Sequence, residues 1–112
     1  IAASHVEAAN RMLAATIANG TGKKAAIADQ AAGKTGTTQQ YRDAWFVGYT
    51  SALVTGIWTG HDNNKPVPDM TGGKLPAQLW AAFMQEALKN RRVAGLPGLP
   101  STPLPPSRNS SQ

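Results

Sequence analysis

The chain contains no cysteine. Disulfide staples, thiolate nucleophiles and cysteine-based zinc sites are excluded at once. Histidine is nearly as scarce, with only His5 and His61 present. Neither is paired with carboxylates at ligand spacing, so no metal or other cofactor is expected; His61-Asp62 reads as a surface pair in a turn. No apolar run approaches the roughly 20 residues that span a bilayer, and no signal peptide opens the chain. Acidic groups are few: six Asp and Glu stand against eleven Lys and Arg, a net charge of +5. The cations are scattered singly or in pairs, so they support a basic surface with a weak preference for anions and argue against a nucleic-acid partner. The first residue is Ile1, not Met, which suggests a processed product or a fragment.

What is present is uneven along the chain. From Ala94 onward, AGLPGLPSTPLPPSRNSSQ is dense in Pro, Ser and Gly and has no aromatic residue. Such a composition buries too little apolar surface to offset chain entropy. Residues 94–112 are therefore expected to form an extended, disordered tail. Residues 1–93 remain to build a core, feasible but marginal at this size.

SHVEAANRMLAATIANG predicts a helix, with Ser4 and Glu7 at capping-box spacing and Gly20 as a left-handed stop. Val6, Ala9, Leu13 and Ile17 fall on one face. TGKKAAIADQ follows as a loop. Two strand-like runs, Trp45 to Thr50 and Leu53 to Thr59, are separated by Ser51-Ala52 and predict a hairpin. Trp45, Val47 and Tyr49 alternate with Phe46, and Leu53 and Ile57 with Val54 and Trp58. A sheet so patterned needs cover on both faces. After the polar loop GHDNNKPVPDMTGGK, LPAQLWAAFMQEALKNRR predicts a second helix. Pro76 suits its first turn, Leu79, Phe83 and Ala87 share a face flanked by Trp80, Met84 and Leu88, and Lys89, Arg91 and Arg92 complement the dipole at its end. The fold class is α/β of the α+β kind, and the sequence reads like the edge of a larger domain.

Between the first helix and the hairpin lies AAGKTGTTQQ, which admits two readings. Gly33-Lys34-Thr35 imitates the end of a phosphate-binding loop, but that motif requires Gly where Ala28 stands and a helix after it. Gly36 and the aromatic, β-branched run after Thr38 oppose a helix. Lys34 to Thr38 therefore belongs to a strand, with Lys34 and Gly36 on one face and Thr35 and Thr37 on the other. Gly36 admits close approach of a backbone or ligand. A lysine ammonium beside two hydroxyls on a strand edge suits a carboxylate and an amide, the chemistry of a peptide laid along the strand. Taken alone, the tetrad is equally a solvated strand edge.

The tetrad is not alone. GKTGTT, then RDAWFVGYT and VTGIWTGHD, with NGTGKKA upstream and TGGKLPAQLWAAFM downstream, closely resembles the C-terminal part of the transpeptidase domain of class A penicillin-binding proteins. The resemblance covers most of residues 6 to 90, in order and spacing. It implies the C-terminal portion of a β-lactamase/transpeptidase-like fold: antiparallel strands, the Lys-Thr-Gly strand plus a hairpin, flanked by an N-terminal and a C-terminal helix. It also implies a peptidoglycan D,D-transpeptidase that cross-links stem peptides through an acyl-serine and is acylated by β-lactams. Lys34 would hold the substrate carboxylate and tune the proton network at the nucleophile. The Thr35 and Thr37 hydroxyls would bind the carboxylate, and the Thr37 backbone N–H would be an oxyanion donor. Gly36 would let the acyl group approach, Thr38 would join the substrate-binding residues, and Thr71-Gly72-Gly73 would border the cleft. Trp45 and Phe46 are assigned to core packing. The same resemblance implies the extracytoplasmic, periplasmic face of a bacterial inner membrane, reached through an anchor outside this chain.

The nucleophile is missing. The family's Ser-x-x-Lys does not occur here, since Ser4 is followed by Glu7 and Ser51 by Val54. The one literal Ser-x-Asn, Ser107-Arg108-Asn109, sits in the Pro/Ser tail and on the wrong side of Lys-Thr-Gly. This chain is expected to be the C-terminal piece of a transpeptidase domain, inactive alone, whose partner is the upstream part of the same parent protein. A non-catalytic peptidoglycan or β-lactam-binding module is the alternative, and a nucleotide-binding protein a remote one.

Overall fold

Gly33 and Gly48 stand opposite each other on adjacent strands, and the space above them is filled by two aromatic rings. A Cβ at Gly33 would lie 2.6 Å from the ring of Phe46, and one at Gly48 would lie 2.7 Å from the ring of Trp80. Phe46 and Trp80 meet edge to face, centroids 5.3 Å apart at 66°, the arrangement that ring quadrupoles favour. This cluster organises the computed structural model, which describes residues 1–38, 43–60 and 74–100.

Helix α1 (Ala3–Asn19) leads through a short 3-10 turn (Lys23–Ala25) to strand β1 (Ala32–Thr37). Strands β2 (Asp43–Tyr49) and β3 (Val54–Gly60) follow, then helix α2 (Leu75–Ala87). The sheet is antiparallel in the order β1-β2-β3, so the arrangement is α+β, as the sequence led us to expect. The β2–β3 hairpin is present too. Thr50 N–H donates to Leu53 O at 2.9 Å, closing a connection through Ser51 and Ala52. With Lys34 inside a strand that leads to another strand, the phosphate-loop reading has no structural basis.

One face of the sheet carries the core. Ala44 and Phe46 of β2 are fully buried there, with Ile17 of α1 and Ala77, Trp80, Ala81 and Met84 of α2. Trp80 Nε1–H donates to Thr55 O at 3.1 Å and Thr55 Oγ1 lies 3.3 Å from Met84 Sδ, fixing α2 across β3. On the other face Trp45 (38% exposed), Val47 (43%), Val54 (70%) and Trp58 (57%) are open to solvent. Trp45 is therefore not a core residue, whereas Phe46 is. Strict alternation puts the two on opposite faces, and the helices cover only one.

Helix ends and faces differ from the sequence reading in four places. Helix α1 starts earlier, with Ala2 as N-cap and no side-chain cap, so Ser4 and Glu7 form no capping box. Alanines before Ser4 extend the helix because nothing there competes with it. Gly20 ends it in an extended conformation, φ −111°, rather than a left-handed one, with its N–H on Thr16 O at 3.1 Å. In α2 the buried stripe is Trp80 and Met84, continued by Leu88 just past its end, while Leu79 and Phe83 are 43% and 50% exposed. The two stripes are equally apolar in sequence, and the glycine floor under Phe46 selects Trp80. Lys89, Arg91 and Arg92 lie past the last helical turn, which holds no basic residue.

Part of the segment expected as a tail, from Ala94 to Pro100, lies against the body. Val93 and Leu96 are buried, and side chains from the body take up the backbone groups of this segment. Ser51 Oγ donates to Ala94 O (2.7 Å), Asn10 Nδ2 to Pro97 O (3.0 Å), Arg11 Nη1 to Gly98 O (3.3 Å) and Gln30 Nε2 to Pro100 O (2.8 Å). Leu96 N–H donates to Gln30 Oε1 at 2.8 Å. A proline-rich stretch offers carbonyls without matching N–H groups, so side-chain donors are the way to satisfy it. Residues 101–112 lie outside the described residues.

Trp80→Ala is expected to cost about 3–5 kcal/mol in urea denaturation, while Phe83→Ala stays within about 1 kcal/mol of wild type. Equal losses would contradict the assignment of faces. Asn10 also accepts from Tyr49 O–H at 2.7 Å, and burial raises the Tyr49 pKa above its usual 10.0. The neutral phenol is thus the folded form. The stability it confers is complete below about pH 10 and declines as pH rises through the folded value. Tyr49→Phe should lower stability at neutral pH by about 1 kcal/mol and flatten the alkaline decline. Parallel alkaline profiles for the two proteins would refute this.

Candidate functional site

Strand β1 is an edge of the sheet: among the described residues it pairs with β2 only. Its ladder fixes where each backbone group points. Thr38 N–H donates to Asp43 O at 2.9 Å across the pair. In an antiparallel ladder alternate residues turn away, so Gly33, Thr35 and Thr37 direct their N–H and C=O groups away from β2.

The side chains follow the alternation expected from the sequence. Lys34 pairs with Val47 and Gly36 with Trp45, while Thr35 pairs with Phe46 and Thr37 with Ala44. Lys34 is exposed, and its ammonium turns back to the edge, where Nζ donates to Thr35 O at 3.1 Å. The Thr35 hydroxyl lies on the helix side, 3.0 Å from Thr21 Oγ1. Lys34 and Thr35 thus share one strand edge with their side-chain polar atoms turned to different partners. Thr38 is engaged elsewhere: Asp43 N–H donates to its Oγ1 at 2.8 Å, closing the β1–β2 connection. Thr71, Gly72 and Gly73 lie outside the described residues, as do His61 and Asp62.

Gly36 is not bare. A Cβ built there would stand 2.1 Å from Trp45 Cζ2, so the indole lies directly over it. Approach to Gly36 is open from the strand edge and closed from the outer face unless Trp45 moves. Trp45, Val47, Gly56, Ile57 and Trp58 line a shallow apolar depression beside it.

Thr21 is the residue that the sequence reading passed over. It stands between Gly20 and Gly22 in the NGTGKKA stretch, where it carried no role. A Cβ at Gly20 would come within 3.0 Å of Thr16 Cα and O, and one at Gly22 within 3.1 Å of the Phe46 ring. The tight turn that brings Thr21 to β1 is the signal: a hydroxyl flanked by two glycines beside a helix end.

Among the described residues, no three His, Cys, Asp or Glu side chains gather as metal ligands, and no helix is long and apolar enough to cross a membrane.

No protein-family model matches the chain. Similarity to curated proteins is clear. The chain is 41% identical over 76 residues, 66% of its length, to penicillin-binding protein 1A of Aquifex aeolicus. It is 37% identical over 101 residues, 85% of its length, to penicillin-binding protein 1A of Pseudomonas aeruginosa. Penicillin-binding protein 2D of Bacillus subtilis is 40% identical over 58 residues, 52% of the chain. The matched stretches make up 10%, 12% and 8% of those proteins, so the chain spans about a tenth of the relatives' length. It resembles a fragment of penicillin-binding protein 1A.

Replacing Gly36 by Ala should force Trp45 off the strand. The expected readings are a red shift in tryptophan emission and a stability loss of about 1–3 kcal/mol. Unchanged emission would mean that the indole does not cover Gly36.

Proposed function

We propose that this chain, a penicillin-binding protein 1A-like fragment, forms one wall of the active site of a peptidoglycan D,D-transpeptidase. The observation that carries the proposal is the open edge of β1. It presents Lys34-Thr35-Gly36-Thr37 with alternate backbone groups turned outward.

An acyl donor peptide lies along this edge as an added strand, its backbone matched by the outward groups of Gly33, Thr35 and Thr37. The Lys34 ammonium, at an exposed edge, swings from Thr35 O to the substrate carboxylate, and the Thr35 and Thr37 hydroxyls donate to the same group. A charge-assisted bond of this kind is roughly twice as strong as a neutral one. When a serine oxygen adds to the scissile carbonyl, negative charge grows on the carbonyl oxygen. The Thr37 N–H meets that charge where it develops. The C–N bond to the terminal residue then breaks, the serine proton leaves with the departing amine, and an acyl-serine remains for the acceptor amine to attack. β-Lactams enter the same route, their ring carbonyl replacing the peptide.

The serine is supplied from outside these 112 residues, on an upstream part of the parent protein, because no Ser-x-x-Lys occurs here. The uncovered apolar face of Trp45, Val47, Val54 and Trp58 supports the same reading, since an isolated domain rarely exposes such a patch. Stem peptides are the substrates, and the site works on the extracytoplasmic side of the bacterial inner membrane.

A fluorescent penicillin is expected to label the parent protein covalently and to leave this chain alone unlabelled. Labelling of the chain alone would reveal a nucleophile within it. An unlabelled parent would overturn the transpeptidase reading.

A further inference from the structure

The Thr21–Thr35 hydroxyl pair carries an inference beyond the strand itself. The two oxygens lie 3.0 Å apart and either can be the donor. A threonine hydroxyl has one proton. If Thr35 spends that proton on Thr21, it has none to give a ligand at the β1 edge. If Thr21 donates instead, the Thr35 proton is free to point outward and its oxygen is polarised by the bond it accepts.

The surroundings hold Thr21 in place for this. Gly20 N–H and Gly22 N–H both donate to Thr16 O, at 3.1 and 2.9 Å, folding the chain back at the end of α1. No side chain fits at either glycine without displacing Thr16 backbone or the Phe46 ring. Thr16 and Phe46 belong to α1 and the core strand, so the turn is anchored to the rigid part of the molecule. Thr21 itself is exposed, so core packing does not account for it.

We propose that Thr21 is a positioning residue: it donates to Thr35 and thereby sets the Thr35 hydroxyl as a donor to an anionic ligand, a carboxylate on the bound peptide or β-lactam. This rests on the transpeptidase reading above. Thr21 touches no substrate and acts only through Thr35.

The test uses the full-length parent protein and measures second-order acylation by a penicillin and by its methyl ester, which lacks the anionic carboxylate. Thr21→Val removes the hydroxyl at nearly constant shape. It should slow acylation by the penicillin about fivefold, the rate equivalent of one net hydrogen bond, and leave acylation by the ester unchanged. Thr21→Ser should restore most of the rate. Thr35→Val and the double variant should behave alike, since Thr21 has nothing to orient once the Thr35 hydroxyl is gone. Wild-type rates in Thr21→Val, equal losses towards both compounds, or failure of Thr21→Ser to recover would each overturn the inference. A wild-type parent that neither compound acylates would overturn the transpeptidase reading, and this inference with it.

Discussion

The described residues are arranged around two aromatic rings seated on a floor of two glycines. Phe46 and Trp80 occupy the space that side chains at positions 33 and 48 would otherwise fill. This close approach draws α2 down onto β2 and β3. It also fixes the register in which Gly33 faces Gly48 and Lys34 faces Val47. A one-residue slip would move Phe46 to the solvent face and place a Cβ-bearing residue under Trp80. Strand β1 therefore inherits its position from the core. Gly33 is at once part of the aromatic seat and the residue immediately before Lys34.

From that constraint the division of the sheet follows. The face with Phe46 is closed by the two helices, and the face with Trp45 and Trp58 is open. The outer edge of β1 is left between them, reached by the Lys34 ammonium from one face and by the Thr35 hydroxyl from the other. An edge strand is ordinarily a liability because it invites pairing with other chains. The loop from Gly20 to Gly22 joins the site to the same core through Phe46, so both hydroxyls of the Thr21–Thr35 pair are referenced to one rigid element.

Much of this was legible in the sequence, for identifiable reasons. Period-2 alternation with β-branched and aromatic residues revealed the hairpin, and the absence of Gly at position 28 excluded the phosphate loop. Lys34 and Thr35 on opposite faces followed from the same alternation. Local pattern could not choose which of two apolar stripes on α2 faces inward, because that choice depends on the glycines of strands distant in sequence. Nor could it see that Asn10, Arg11, Gln30 and Ser51 would supply donors to carbonyls between Ala94 and Pro100. Composition alone made that segment look unable to order. The Thr21–Thr35 contact was missed because it depends on a turn geometry that brings residues 14 positions apart together.

The central claim is that these residues build a wall of a transpeptidase site whose attacking serine lies elsewhere in the same protein. The most direct test is the intact mass of the native gene product, together with the reading frame upstream of Ile1. The account predicts a product far heavier than the 11.7 kDa of this chain. Its upstream portion should carry a Ser-x-x-Lys and then a Ser-x-Asn before Lys34-Thr35-Gly36. A native product of 11.7 kDa, or an upstream portion with no Ser-x-x-Lys, would contradict it.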